Sequence, residues 1–173
     1  MCMFEGSKRK LSKSEHIQNL LYKSYKVCKK ISTKEPVLSS IYEYVHFVDE
    51  AIEELGVEEE IIHQLIEDYV VQIITTQTTF EEYLGDLEEL KLQNKELDYT
   101  PFRELAHKNL GVARNLRIKD AEKILTELMK KEDISYLKYC LEALVACAIR
   151  LKPSRAYATI KLLAIKKSLE KPI

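Results

Sequence analysis

Tryptophan is absent from this chain, and glycine and proline are scarce, at four residues each among 173. Strand-and-turn architectures need turn formers every few residues, so that scarcity argues against them. No apolar run approaches the ~18–20 residues that cross a bilayer as a helix. The opening residues, MCMFEGSKRK, lack the apolar stretch of a secretory signal. No phosphate-binding loop, dinucleotide fingerprint or nucleophile–base arrangement is present. The four cysteines, Cys2, Cys28, Cys140 and Cys147, show no metal-ligand spacing such as CxxC. Cys140 and Cys147 lie two turns apart on one helical face and read as buried thiols. A reduced, cytoplasmic protein with no membrane association is the expectation.

Charge is plentiful, at 32 % of residues, and it is segregated. Residues 1–35 carry a net +6, residues 36–100 a net −15 and residues 101–173 a net +8. The acidic block reads as a solvated face, and the basic C-terminal part suits an acidic partner. The basic N-terminal segment has only Phe4, Tyr22 and Tyr25 as aromatics. That favours a helix packed on the rest of the chain over a nucleic-acid interface.

Apolar spacing near 3.6 predicts seven helices. The first covers 12–31, with Ile17, Leu20, Leu21, Cys28 and Ile31 on one stripe. A second follows Pro36, carries Val37, Ile41, Tyr44, Val48, Ile52 and Leu55, and ends at Gly56. A third covers 57–92, with Ile62, Leu65, Tyr69, Ile73, Phe80, Leu84 and Leu87 inward. Its β-branched stretch, 70–80, has strand propensity, but the helical period continues through it. The segment is read as helix, with room for an irregularity near Thr75–Thr79. A fourth covers 100–116, with Thr100 as cap and Pro101 at the first helical position. A fifth covers 120–131 and a sixth 133–151, stopped by Pro153. A seventh, capped by Ser154, reaches 169. Short connections between long amphipathic helices predict an all-α antiparallel bundle.

The fourth helix carries the candidate chemistry. At about 100° per residue, Leu105, Val112 and Leu116 fall opposite His107, flanked by Phe102 and Ala113. Asn109 also points inward and needs a hydrogen-bond partner. Arg103, Gly111 and Arg114 lie within about 40° of His107, on the solvent face. A glycine inside a helix costs roughly 1 kcal/mol against alanine. Gly111 sits one turn beyond His107, where a missing side chain gives a bulky group access to the imidazole. Arg103 and Arg114 could stabilise an anion on that ring by charge-assisted hydrogen bonds.

The stretch LAHKNLGVARNLRI, residues 105–118, resembles the motif of histidine-containing phosphotransfer domains. Their phosphorylated His is usually followed by Lys three positions on, Gly four on, then a small residue and a Leu. His107, Gly111, Ala113 and Leu116 match. Leu110 stands where the family has Lys, with Lys108 as the substitute charge, and Arg117 stands where Gly is common. LGVEEEIIHQLIEDYVVQIITTQTTFEEYL is similar to the family's preceding helix, and DAEKILTELMKKEDISYLKYCLEALVACAIRL to its last two. The resemblance covers 47–151.

It implies a four-helix bundle with additional N- and C-terminal helices. Residues 1–35 would form a basic helical extension, 36–152 the bundle, and 153–173 a helix packed on it. It also implies a phosphocarrier rather than an enzyme. His107 would exchange a phosphoryl group with receiver-domain aspartates of response regulators or of a hybrid histidine kinase. Arg103, Lys108, Gly111 and Arg114 would support it. The chain itself would bind no cofactor and no metal, since Mg²⁺ belongs to the receiver. The sequence is silent on oligomeric state.

Two rival readings remain open. One is a degenerate fold of the same shape that docks without transferring. The other is a di-iron or di-manganese bundle, because Glu43/His46, Glu60/His63 and Glu104/His107 have the Glu-x-x-His spacing. His16, His46 and His63 have no further supporting pattern. The tyrosines, ten in all, read as packing residues.

Overall fold

Seven α-helices and one 3-10 turn make up the secondary structure of residues 9–170, the residues that the computed structural model describes, and no strand occurs among them. Cys2 and Phe4 lie outside the described residues.

Helix α1 (Lys13–Lys34) starts at Ser12, whose hydroxyl accepts the Glu15 amide at 3.2 Å. Ser24, Cys28 and Ile31 are its buried residues, so its inner face is narrow. The 3-10 turn Pro36–Leu38 follows.

The predicted second helix survives only at its end, as α2 (Asp49–Leu55). Residues 39–48 run irregularly because their backbone groups are taken by distant partners. Arg150 donates to the carbonyls of Ile41 at 3.0 Å, Tyr42 at 2.9 Å and Tyr44 at 3.3 Å. The Tyr42 amide donates to Ser32 Oγ at 3.0 Å. Gly56 closes α2 with φ +63°, the left-handed conformation that glycine adopts without strain.

Helix α3 (Glu59–Leu92) is unbroken through 70–80. Val70, Ile73, Ile74 and Phe80 are buried there. Thr75 and Thr76 turn their hydroxyls back to the carbonyls of Val71 at 2.8 Å and Gln72 at 2.7 Å. Burial of that apolar face overrides strand propensity, and the helix runs through Thr75–Thr79 without an irregularity. Leu65, placed inward by period, is 37 % exposed, and Ile66 takes the buried position beside it.

Thr100 is the first residue of helix α4 (Thr100–Asn115) rather than its cap; Tyr99 precedes it without a side-chain cap, and the Asp98 carboxylate accepts the Thr100 amide at 3.0 Å. Beyond α4, Arg117 adopts φ +56°, and the Ile118 amide donates to the Ala113 carbonyl at 3.0 Å. Helix α5 (Lys119–Lys130) follows directly. Helix α6 (Ile134–Leu151) is capped by Asp133, which accepts the Tyr136 amide at 3.1 Å. Pro153 begins α7 (Pro153–Leu169) at its first position. Lys152 precedes it and no side chain caps it, so Ser154 lies inside the helix rather than capping it.

Four helices pack as a ring of neighbours, α3 on α4, α4 on α5, α5 on α6 and α6 on α3, and the diagonal pairs make no close backbone approach among the described residues. Helix α6 is central, because α1 and α7 also pack on it. Its sequence is apolar nearly all round, with Ala143, Ala146, Ala148, Cys140 and Cys147 buried beside Leu137, Leu141 and Leu144. A helix apolar on all sides is a buried helix, and small side chains let its neighbours come close. Helix α7 packs on α1, α3 and α6. Among the described residues no helix is long and apolar enough to cross a membrane.

Candidate functional site

Ala106, Asn109, Leu110 and Ala113 form the buried face of α4, with Phe102 and Leu116 at its ends. This face is turned from the one the wheel suggests, since Leu105 and Val112 are only half-buried. Helix α5 is the chief neighbour of α4, and the two alanines let it approach closely. The turn still leaves His107 outside, and it is exposed. Asn109 finds its partners: it accepts from Gln72 at 2.9 Å and donates to the Leu105 carbonyl at 2.9 Å.

His107 shares a shallow depression with Thr100, Arg103, Glu104 and Lys108 of α4 and Met129 of α5. No side-chain hydrogen bond or ion pair among the described residues holds its ring. The other three histidines differ. His46 Nε2 lies 2.8 Å from the Leu116 carbonyl. His63 contacts Lys152 at 3.0 Å and Glu59 at 3.4 Å. His16 stacks on Tyr157 with ring centroids 6.1 Å apart.

The supporting residues divide. Gly111 is exposed, and a Cβ built there meets no atom within 4 Å, so the glycine answers no packing demand within the chain. Lys108 is exposed, lines the depression with His107, and makes no ion pair among the described residues. Arg103 also lines it, but its guanidinium pairs with Glu132 at 2.7 Å and lies over the Tyr99 ring, 5.3 Å from the centroid. Tyr99 is fixed in turn, donating to the Glu132 carbonyl at 2.5 Å. Arg114 pairs with Glu122 of α5 at 3.7 Å and does not line the depression. The two arginines that period placed beside His107 are thus turned to carboxylates beyond α4. Leu110, where the resemblance implies Lys, is 2 % exposed. Its position faces the core, so a lysine there would have to bury its stem to reach solvent.

Met129 and Glu132 are the neighbours that sequence spacing did not reveal. Both come from chain distant from α4, and only the packing of α5 brings them near. A second polar cluster was also unforeseen. A cavity of about 220 Å³ is lined by Tyr44, His46, His63, Asp120, Cys147, Arg150 and Lys152, among others. Asp120 is 5 % exposed and its Oδ1 accepts the Ala121 amide at 2.6 Å. Burial pushes its carboxyl above the usual aspartate range, opposed by that hydrogen bond, by Cys147 and by the charges of Arg150 and His46.

Among the described residues no three His, Cys, Asp or Glu side chains converge as a metal-ligand set. The Glu-x-x-His spacings at Glu43/His46, Glu60/His63 and Glu104/His107 are therefore not brought together. No known protein family, curated protein or solved structure gives a significant match to the chain.

Proposed function

We propose that this chain is a histidine phosphotransfer protein, with His107 as the residue that carries the phosphoryl group. The observation that carries the reading is the state of His107. Its ring is exposed, no side-chain hydrogen bond, ion pair or stacked ring engages it among the described residues, and Gly111 leaves open space one turn away. In this reading the ring α3–α4–α5–α6 is the antiparallel four-helix bundle of that family. Helix α1 and α7 are its additions, from residues 1–35 and 153–173.

The chemistry asked of the chain is modest. A neutral ring nitrogen of His107 attacks the phosphorus of a receiver's aspartyl phosphate. The P–N bond forms as the P–O bond to the aspartate breaks, and the carboxylate leaves. A second receiver aspartate reverses the step. Lys108, which makes no ion pair among the described residues, places positive charge beside the transferring group. Arg103 would have to release Glu132 to add its own, and Arg114 acts only at longer range. Mg²⁺ and most of the transition-state stabilisation belong to the receiver. The chain acts in the cytoplasm as a carrier, not as an enzyme, and its partners are response-regulator receiver domains, alone or within a hybrid histidine kinase.

A second reading has an observation of its own. Leu110 is buried where that family keeps a lysine, and both arginines are paired. These favour a fold of the same shape that docks receivers without accepting phosphate. Incubation with a phosphate-labelled receiver from the same cell separates the two. Transfer gives the chain a label that mild acid removes and base spares. A receiver that binds the chain and keeps its label supports docking instead.

A further inference from the structure

Cys28 of α1 and Cys147 of α6 face each other with their sulfurs 3.8 Å apart. Both are buried, at 0 % and 2 % exposed, and the helices that carry them are packed neighbours. A disulfide needs about 2.05 Å between sulfurs. The two sulfurs are already in contact and must close the remaining distance for the bond to form. Cys147 also forms part of the wall of the polar cavity, whose lining includes Val45, 63 % exposed, so the cavity reaches the surface. Water-sized molecules fit in about 220 Å³.

We propose that Cys28 and Cys147 form an oxidisable dithiol, and that hydrogen peroxide entering through this cavity converts the pair to a disulfide joining α1 to α6. The surroundings favour one negative charge on the pair. The contact with Cys147 and the Arg150 guanidinium beside the pair hold the Cys28 thiol at about 7, below its ordinary value, against the effect of burial. The second proton of the pair is held firmly, by the same contact and by burial. Cys140 is the internal contrast. It is buried on the same helix, and burial pushes its thiol up to about 12.

The pair starts with one proton and one negative charge. The proton passes to Cys28 as Cys147, the sulfur at the cavity wall, attacks one oxygen of the peroxide. The O–O bond breaks, Cys147 becomes a sulfenic acid, and hydroxide leaves. Cys28 then attacks the Cys147 sulfur. The S–S bond forms, the S–O bond breaks, and the Cys28 proton leaves with that oxygen as water. Each sulfur gives up one electron, and the peroxide is reduced to water and hydroxide.

The experiment treats the folded full-length chain with hydrogen peroxide, alkylates it in denaturant and maps the peptides without reduction. The expected product is a peptide pair linked through Cys28 and Cys147 that dithiothreitol separates. Cys140 stays alkylatable. In Cys28→Ser the reaction can go no further than a sulfenic acid, and no linked pair appears. Two free thiols at positions 28 and 147 of the parent after treatment would overturn the proposal, as would a link through Cys140 or Cys2. The parent's peptide map decides the question even if the serine variant does not fold.

Discussion

A side chain at position 111 would meet nothing within the molecule. Gly111→Leu is therefore expected to fold as stably as the parent or up to about 1 kcal/mol more stably, by helix propensity alone. Thermal unfolding checks that half of the prediction. Phosphoryl transfer should nevertheless be lost, because leucine fills the approach to His107; transfer at the parental rate would deprive the glycine of its role. Asn109 tests the opposite face of the same helix. Asn109→Ala removes two hydrogen bonds at a fully buried site and leaves the Gln72 amide without its acceptor. A loss of roughly 1–3 kcal/mol in a urea titration is expected, and an unchanged midpoint would show the contacts to be idle. Sequence spacing revealed both residues and the inward aim of Asn109. It did not reveal that Glu132 and Glu122 engage Arg103 and Arg114, because a helical wheel contains only its own helix. Arg117 is instructive in another way. It adopts the left-handed φ that favours glycine, with its guanidinium paired to Glu54 at 2.5 Å.

Segment 39–48 is the element whose structure period misjudged. Its apolar spacing was adequate for a helix, but three of its carbonyls are claimed by one distant arginine. Arg150→Lys keeps the charge and loses the planar fork. A destabilisation of roughly 2 kcal/mol is expected, with faster amide exchange confined first to 39–48 and the α4–α5 corner it touches. Uniform exchange across the chain would contradict the pinning role. At the start of α5, Asp120 gives a pH test. Its folded pKa is raised by burial. Its proton is therefore held more tightly in the folded than in the unfolded state, and the stability it contributes is fully present below the unfolded pKa and lost as pH rises through the folded one. Asp120→Asn should match the parent in acid and become the more stable of the two as pH rises above the usual aspartate range. Chemical denaturation at several pH values measures this, and a parent that gains on the variant with rising pH would reverse the sign. Element existence was legible for α1 and for α3 to α7 because their periods are long and uninterrupted. The helix starts were not, since Thr100 and Ser154 lie inside α4 and α7 and no side chain caps either helix at Tyr99 or Lys152.

For the molecule as a whole, the sequence implied an all-helical chain, and the described residues are all-helical. The central place of α6 was harder to read, because an apolar stripe on a wheel looks the same whether the remaining sides are wet or packed. Its alanines and cysteines were the available signal. Charge segregation places an acidic block in α2 and α3 and basic residues on α1 and α7. The local surround of His107 is more mixed, with Glu104 and Glu132 close to Arg103 and Lys108. The account rests on one residue of that surface, and one comparison tests it. Parent and His107→Gln are each incubated with a phosphate-labelled receiver, and the acid-labile label is mapped. An exposed side chain contributes little to stability, so the variant should fold like the parent. The account predicts label on His107 in the parent and none in the variant. Equal labelling of both, or label mapping to His16, His46 or His63, would contradict it.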